Sequence, residues 1–348
     1  MKIGSFEITK ESKVFIIAEL SANHNGSLET ALETVRAAKR AGADCIKLQT
    51  YTADTLTMDS SKDDFIIQSE SIWDGKNFYQ LYKKAYTPWE WHAEIMRVAK
   101  EESLICFSSP FDFSAVDFLD TLNVPAYKIA SFEITDIPLI EYTASKGKPI
   151  IISTGIATKE DIEMALDACK RMGNNEIALL KCTSSYPAPI EEANMKMVKD
   201  MAEKFGVITG LSDHTMGSTV PIVATCLGAK IIEKHFILDR SIGGPDASFS
   251  MNEEEFTTMV KAVREAELAV GEVDYKLTDK QKKGRDFSRS LYVVKDVNEG
   301  DLLTVENVRS IRPGFGMHPK YYHEVLGKQF NKSFTKGTRL SSDMISNN

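Results

Sequence analysis

Two histidines frame the chemistry of this chain. His214 follows Ser212 and Asp213 at the end of one apolar run, and His235 closes the next, just after Glu233 and Lys234. Between them lies an apolar helical segment, so residues 207–236 read as strand, polar turn, helix, strand. Strands joined in this way are parallel neighbours, and both imidazoles then leave the same edge of the sheet. Two neutral imidazoles converging there could ligate a divalent metal. The alternative is that each histidine caps a loop, since spacing alone supplies no third ligand.

The other apolar runs also end in polar groups. Glu19 closes the first, Lys47 and Gln49 lie in the second, and Ser108 and Ser109 end the third. Lys128 and Ser131 belong to the fourth, Ser153 and Thr154 to the fifth, and Thr183, Ser184 and Tyr186 to the sixth. A lysine aimed into a barrel mouth is costly to bury unless an anion pairs with it. Two lysines among serines and backbone amides suit a ligand carrying a phosphate and a carboxylate. Gly155, directly after Ser153 and Thr154, suits close approach of a phosphate. Each group also has a plainer role. Lys47 or Lys128 could pair with Glu19 or Glu133 in a structural network, and the hydroxyls could be helix N-caps. Lys128 could instead form a Schiff base, which would make the chain an aldolase.

Eight apolar runs alternating with helical segments must position these groups. The runs cover residues 14–20, 43–50, 104–109, 126–131, 149–154 and 177–187, followed by the two within 207–236. Helical spacing covers 27–40, with Ser27 as N-cap, then 89–101, about 114–122, 137–146, 159–172, 195–205 and about 253–270. Runs of this kind suit strands buried on both faces. The alternation predicts an α/β fold, a (β/α)8 TIM barrel with its chemistry at the carboxyl ends of the strands. A doubly wound sheet would show a Gly-rich turn after its first strand, and Ser21 to Gly26 is not one. The long insertion at 51–88 carries aromatics, including Trp73, and is expected to be a functional cover. We expect a barrel over 1–271, a polar linker over 272–286 without apolar periodicity, and a small module over 287–348. In that module the sequence from Ser288 reads as a strand, a turn at Asn298, Glu299 and Gly300, and a second strand.

Composition is ordinary for a globular chain of 348 residues, 43% hydrophobic and 26% charged, enough for one large core and a small second unit. No apolar run approaches the roughly 20 residues of a membrane span, and residues 1–10 lack the apolar stretch of a secretory signal. The five cysteines are odd in number and widely spaced, which points to a reduced, cytoplasmic protein rather than to disulfides or zinc. Charge is uneven. From Lys276 onward there are 14 Lys+Arg against 8 Asp+Glu, leaving 28 against 42 before it, so a tail of +6 follows a body of −14. A basic tail can signal nucleic acid. This one has no run of more than two consecutive basic residues, so we expect it to dock on an acidic protein surface, with neither nucleic acid nor membrane as partner.

With these residues in view, the sequence resembles the sialic acid synthase family, and within it the bacterial pseudaminic branch. The matching segments include IAELSANHNGS, ADCIKLQTY, FSSPFD, AYKIASFE, STGIAT, KCTSSYP, GLSDHT, IEKHF, GGPDASFS and RSIRPGFGMHP, in family order along nearly the whole chain. The tail resembles the antifreeze-protein-like (SAF) domain that ends these enzymes.

The resemblance implies condensation of phosphoenolpyruvate with an N-acetylated amino sugar. For the pseudaminic branch the sugar is 2,4-diacetamido-2,4,6-trideoxy-L-altrose; for the sialic and legionaminic branches it is N-acetylmannosamine or a related sugar. A divalent cation (Mn2+, Mg2+ or Co2+) is implied at His214 and His235. Lys47, Lys128, Ser109, Ser131, Ser153, Ser184 and Ser212 match the phosphoenolpyruvate site, and Glu19, Gln49, Tyr186 and Asp246 match other active-site positions, with Glu133 joining the substrate-binding set. Arg312 matches an arginine that reaches into the partner's barrel in a domain-swapped homodimer. Phe65, Ile66, Trp73, Phe78 and Phe111 are expected to supply an apolar wall for a sugar bearing a methyl group.

Overall fold

A computed structural model describes residues 1–68 and 72–346; residues 69–71 of the insertion lie outside that description. The chain divides into two compact units, Met1–Gly271 and Glu272–Asn348.

The first unit opens with a short hairpin, β1 (Lys2–Ile3) against β2 (Phe6–Glu7). Eight parallel strands then close into a barrel: β3 (Phe15–Glu19), β4 (Cys45–Thr50), β5 (Ile105–Pro110), β6 (Tyr127–Ile129), β7 (Ile150–Ser153), β8 (Ile177–Cys182), β9 (Ile208–Asp213) and β10 (Ile231–His235). The order follows the chain, and β10 pairs with β3 to complete the ring. Runs such as Phe-Ile-Ile-Ala in β3 and Ile-Ile-Ile in β7 bury both faces, as parallel strands under helices require. Phe15, Ile17, Cys45, Ile151, Leu180 and Ile231 belong to one buried cluster that also takes in Ile3 and Ile8 of the hairpin segment. Phe6 packs on Phe15 at 4.8 Å between ring centroids, so the N-terminal hairpin closes off this cluster. Strands of two residues carry no detectable period, so residues 1–10 give no sign of this hairpin in the sequence.

The alternate residues face the helices. Ile16, Ala18, Ile46, Leu48 and Ile232 pack with Ala31, Val35 and Ala38 of α1 (Leu28–Arg40). Ile150, Ile152 and Leu179 pack with residues such as Ile162, Ala165 and Leu166. The helix after β3 starts where expected, because Ser27 accepts a hydrogen bond from the Thr30 amide. Between β9 and β10, Gly210 leaves no room for a side chain: a Cβ there would fall on the Ile231 carbonyl oxygen of the neighbouring strand.

The structure differs from expectation in several places. The run at 177–187 stops being strand at Cys182, and the rest is a loop whose Thr183 carbonyl turns toward His214. The 51–88 insertion holds short helices, Ala53–Leu56 and Phe78–Ala85, each begun by a side-chain cap. The connector after Gly271 contains a helix, Asp279–Gly284, started by a Thr278/Gln281 capping box; it is polar throughout, so no apolar stripe announces it.

In the second unit, β11 (Ser290–Val293) pairs antiparallel with β12 (Val308–Ile311) around a core that includes Leu291, Val293, Val308, Phe330 and Leu340. The expected turn is present, with the Asp301 amide bonded to the Asn298 carbonyl. The segment after it does not pair back on β11, because Leu302 bridges Gln329 instead. Among the described residues, no helix is long and apolar enough to cross a membrane.

Candidate active site

The carboxyl ends of the barrel strands carry a buried network of two lysines and two glutamates. Glu19, Lys47 and Glu233 each lie two residues beyond Ile17, Cys45 and Ile231, so strand periodicity sends them to the same inward face. Register brings Glu19 opposite both Lys47 and His235, and Ser212 opposite Glu233. Lys47 ion-pairs with Glu19 and lies 3.8 Å from Glu233 Oε2; Lys128 Nζ lies 3.7 Å from Glu233 Oε1. Lys128 donates to Ser153 Oγ at 2.7 Å and Lys47 to Ser109 Oγ at 3.3 Å. Ser212 donates to Glu233 at 2.9 Å, and Gln49 donates to Glu19 at 3.0 Å. Among the described residues Lys128 pairs with Glu233, not with Glu133.

Burial sets the acidities of this network, and the ion pairs resist it. Burial pushes Glu19 up to about 7 against the pull of Lys47. Glu233 is also penalised by burial, yet Lys128, Lys47 and the Ser212 hydroxyl together hold it below the usual carboxylate range. Burial draws Lys128 below an ordinary lysine. At Lys47 burial pulls the same way, but Glu19 and Glu233 outweigh it and hold the ammonium form above the ordinary range.

Next to the lysines, the Ser131 and Ser184 hydroxyls meet at 2.7 Å. A Cβ on Gly155 would fall on both of them, so glycine is what allows the Ser153-Thr154-Gly155 turn to approach this pair.

The two histidine rings lie 5.3 Å apart between centroids. His214 Nδ1 donates to the Thr183 carbonyl at 3.0 Å, which leaves Nε2 as its lone-pair nitrogen. Burial lowers the basicity of His214, but Cys182, whose sulfur lies 3.8 Å from Nδ1, and the Thr183 carbonyl outweigh it. His235 Nδ1 is buried without a hydrogen-bond partner, 3.9 Å from Asp246 Oδ2. Burial holds His235 well below the ordinary imidazole range, hence neutral. Asp246, itself raised by burial, accepts from Ser21 Oγ at 2.5 Å. One neutral ring with an orphaned nitrogen and a second with its tautomer fixed make a donor set that fits a divalent cation. Among the described residues no preformed cluster of three His, Cys, Asp or Glu surrounds such a point.

Above these groups opens a cavity of about 1070 Å³. Its polar side includes Gln49, Ser131, Glu133, Ser184, His235 and Asp246. Its apolar side comes largely from the insertion, through Ile67, Trp73, Phe78 and Tyr82, with Phe111 beyond them. Tyr186 packs on His214 at 4.4 Å and on Trp73 at 5.2 Å between centroids, while Trp73 Nε1 donates to the Pro245 carbonyl at 3.2 Å. Glu133 presents a buried Oε2 without a hydrogen bond, and burial pushes its carboxyl up to about 7. A cavity with an apolar wall, hydroxyls, two carboxyls and the His235 imidazole can hold a partly apolar polyol, and Gln49, which lines it and bonds to Glu19, joins it to the lysine network.

The sequence matches the model of the NeuB family over residues 34–275 and that of the SAF domain over 288–346. The chain belongs to the NeuB family. A pseudaminic acid synthase of Campylobacter jejuni is 50% identical over 340 residues, spanning 98% of this chain and 98% of the relative. The pseudaminic acid synthase of Helicobacter pylori is 50% identical over 331 residues, 95% of this chain and 97% of its own. Among solved structures, the N-acetylneuraminic acid synthetase of Leptospira borgpetersenii in complex with citrate superposes with a TM-score of 0.72 at 29% identity, covering 82% of this chain and 94% of that one.

In this NeuB-family barrel, most of the residues singled out from sequence come together. Glu19, Lys47, Lys128, Ser109, Ser153 and Ser212 form the network, while Gln49, Ser131, Glu133, Ser184, Tyr186, His235 and Asp246 line the cavity. His214 stands against Tyr186 and His235. Arg312 directly follows β12 in the second unit. Of the expected apolar wall, Trp73, Phe78 and Phe111 line the cavity and Phe65 and Ile66 do not; Ile66 instead bridges Asn77 within the insertion. Glu233 is legible at its strand end but carries no assigned role in the sequence; the structure makes it the link between both lysines, on the strand face it shares with His235 two residues on. Phe249, packed on His235 at 4.9 Å, comes from an irregular segment with no period to reveal it.

Proposed function

We propose that this chain condenses phosphoenolpyruvate with 2,4-diacetamido-2,4,6-trideoxy-L-altrose and water, yielding pseudaminic acid and phosphate. The observation that carries this reading is the 50% identity to pseudaminic acid synthases across nearly the full length of both chains.

The network supplies the anion site. Lys47 and Lys128 neutralise the phosphate and carboxylate of phosphoenolpyruvate, and Ser109, Ser131, Ser153 and Ser184 donate hydrogen bonds to their oxygens. Carbon 3 of the enol then attacks the sugar aldehyde; water adds at carbon 2, and the tetrahedral intermediate expels phosphate. Glu19, titrating near neutrality beside Lys47, is suited to accept and return a proton at that water. His214 Nε2 and His235 Nδ1 are the atoms that would hold a divalent cation. Such a cation, when bound, polarises the aldehyde oxygen. Glu133 and Asp246 face the cavity where the sugar's hydroxyl and amide hydrogens need acceptors. The apolar wall of Trp73, Phe78 and Phe111 suits the carbon 6 methyl group, where N-acetylmannosamine carries a hydroxyl.

A +6 tail on a −14 body further supports a homodimer in which the second unit of one chain brings Arg312 to the barrel mouth of the other. All five cysteines are free, in keeping with a cytoplasmic enzyme.

The test is phosphate release from phosphoenolpyruvate with a panel of sugars. A hydroxyl left unpaired against an apolar wall costs about 1–3 kcal/mol. The diacetamido altrose should therefore exceed N-acetylmannosamine in kcat/KM by roughly one to two orders of magnitude. Equal values, or a preference for N-acetylmannosamine, would move the chain to the sialic branch of its family.

A further inference from the structure

Directly behind the two histidines lies an ion pair that neither the lysine network nor the cavity uses. Lys234 sits between Glu233 and His235 on β10, and Asp213 sits between Ser212 and His214 at the end of β9. The two are opposite each other in register, and their side chains are each 1% exposed. Along the outer face of this strand the neighbours of Lys234 are Ile232 and Phe236, both fully buried core residues. A cation in such a row is expensive, and an apolar side chain of similar volume is often as stabilising or more so. Stability alone therefore gives this pair little reason to be there.

Its geometry gives one. The Lys234 ammonium donates to Asp213 Oδ2, to the Thr215 carbonyl, and to the Gly217 carbonyl at 3.2 Å. Asp213 also accepts from the Thr215 amide at 2.9 Å and from the Thr215 hydroxyl at 3.1 Å. The loop thus wraps around one buried cation whose three protons are all used, and the bonded residues bracket His214 on both sides. On its other flank, the His214 carbonyl accepts from the Ala188 amide at 2.9 Å. The backbone of His214 is fixed from two directions, and the fixing cation belongs to the residue preceding His235.

We infer that Lys234 and Asp213 are positioning residues: a buried staple that holds the loop carrying His214 at a set distance from His235, so that both imidazoles can serve one divalent cation. This rests on the metal reading of the two histidines and adds the device that spaces them. Neither residue touches substrate. Their influence passes through backbone geometry, as with outer partners of metal ligands generally.

The probe is manganese, titrated into the full-length protein and followed by the paramagnetic resonance signal of the free ion. The parent should bind it, and His214→Ala and His235→Ala should abolish binding. Lys234→Met should weaken manganese binding roughly 10- to 100-fold, while phosphoenolpyruvate binding, measured separately by tryptophan fluorescence, stays as in the parent. Asp213→Asn and the milder Thr215→Val should give the same pattern in smaller measure, and they carry the test if Lys234→Met does not fold. Folded variants that bind manganese as tightly as the parent overturn the staple while leaving the metal reading intact. A parent that binds no manganese overturns the metal reading and the staple with it. Equal losses of manganese and phosphoenolpyruvate binding would mark the pair as general scaffolding and likewise overturn the inference.

Discussion

Lys128 and Glu233 face each other across the floor of the barrel mouth, Nζ to Oε1 at 3.7 Å, with Ser153 bonded to the lysine and Ser212 to the glutamate. Together with Lys47 and Glu19 they form a set of two cations and two carboxyls, buried but balanced. The balance explains how two lysines can be held away from water before any anion arrives. Removing one member exposes the cost. Glu233→Gln leaves Lys128 and Lys47 sharing a single carboxylate and should destabilise the fold by about 3–5 kcal/mol, read as a lowered denaturant midpoint. An unchanged midpoint would mean that the network carries no structural load.

The same environment bears on the aldolase alternative. Burial lowers the basicity of Lys128, which would favour a Schiff base, but its amine is bonded to Ser153 and drawn toward Glu233. Incubation with pyruvate and borohydride should leave the protein mass unchanged. A reduced adduct on Lys128 would replace the phosphoenolpyruvate chemistry with an aldolase mechanism.

Glu133 predicts a pH-dependent stability. Its carboxyl titrates at about 7 in the fold against 4.5 for an ordinary glutamate, because burial penalises its charge. The folded chain therefore keeps this proton over a range in which the unfolded chain has lost it. The resulting contribution is fully present below pH 4.5 and is lost as pH rises through about 7. Glu133→Gln removes the penalty and should stabilise the protein at pH 8, by at most about 3 kcal/mol, with little gain at pH 5. Urea unfolding at the two pH values checks it; an equal gain at both would reject burial as the cause.

Two glycines should fail in opposite ways. Gly155→Ala pushes a methyl group onto the Ser131 and Ser184 hydroxyls, which can turn aside at the expense of the proposed anion site. It should cost roughly 100-fold in kcat/KM for phosphoenolpyruvate and leave the melting temperature nearly unchanged. Gly210→Ala meets the Ile231 carbonyl, backbone that cannot turn aside, and should cost about 1–3 kcal/mol of stability by overpacking. Steady-state kinetics and thermal melts on both variants decide the matter.

The proposed dimer predicts complementation. An Arg312→Ala chain and a Lys128→Ala chain should each be inactive alone. Refolded together they should regain activity, because in a mixed dimer one mouth keeps its own Lys128 and receives an intact Arg312. Activity in a purely monomeric fraction of the parent, or no recovery on mixing, would reject the exchange.

Much of this site was readable before any coordinates, for a physical reason. A parallel barrel needs apolar runs on all its strands, so polar residues at the ends of such runs stand out, and Lys47, Lys128, His214 and His235 did so. What escaped notice was pairing rather than position. Glu233 was visible at its strand end, but only closure of the ring puts it between both lysines. Lys234 looked like one more charge in a Glu-Lys-His triplet, and only the wrapped loop gives its ammonium three acceptors. The tail misled for a related reason. Its local turn is real, but β11 finds its partner further along the chain, and strand partners at a distance leave no local mark.

The pairing of β3 with β10 also carries a consequence for how the chain matures. Glu19 comes from the first strand of the ring and His235 from the last, and they become neighbours only when the ring closes. Contacts between such distant parts of a chain form late, since the loop entropy must be paid first. Lys47 and Lys128 lie on earlier strands, but their shared counter-ion, Glu233, also waits for β10. A chain still emerging from the ribosome thus has no assembled pocket to offer a ligand. Closing the seam is the step that turns a stack of strands and helices into an enzyme, and ligands that bridge it will favour the closed form over every earlier one.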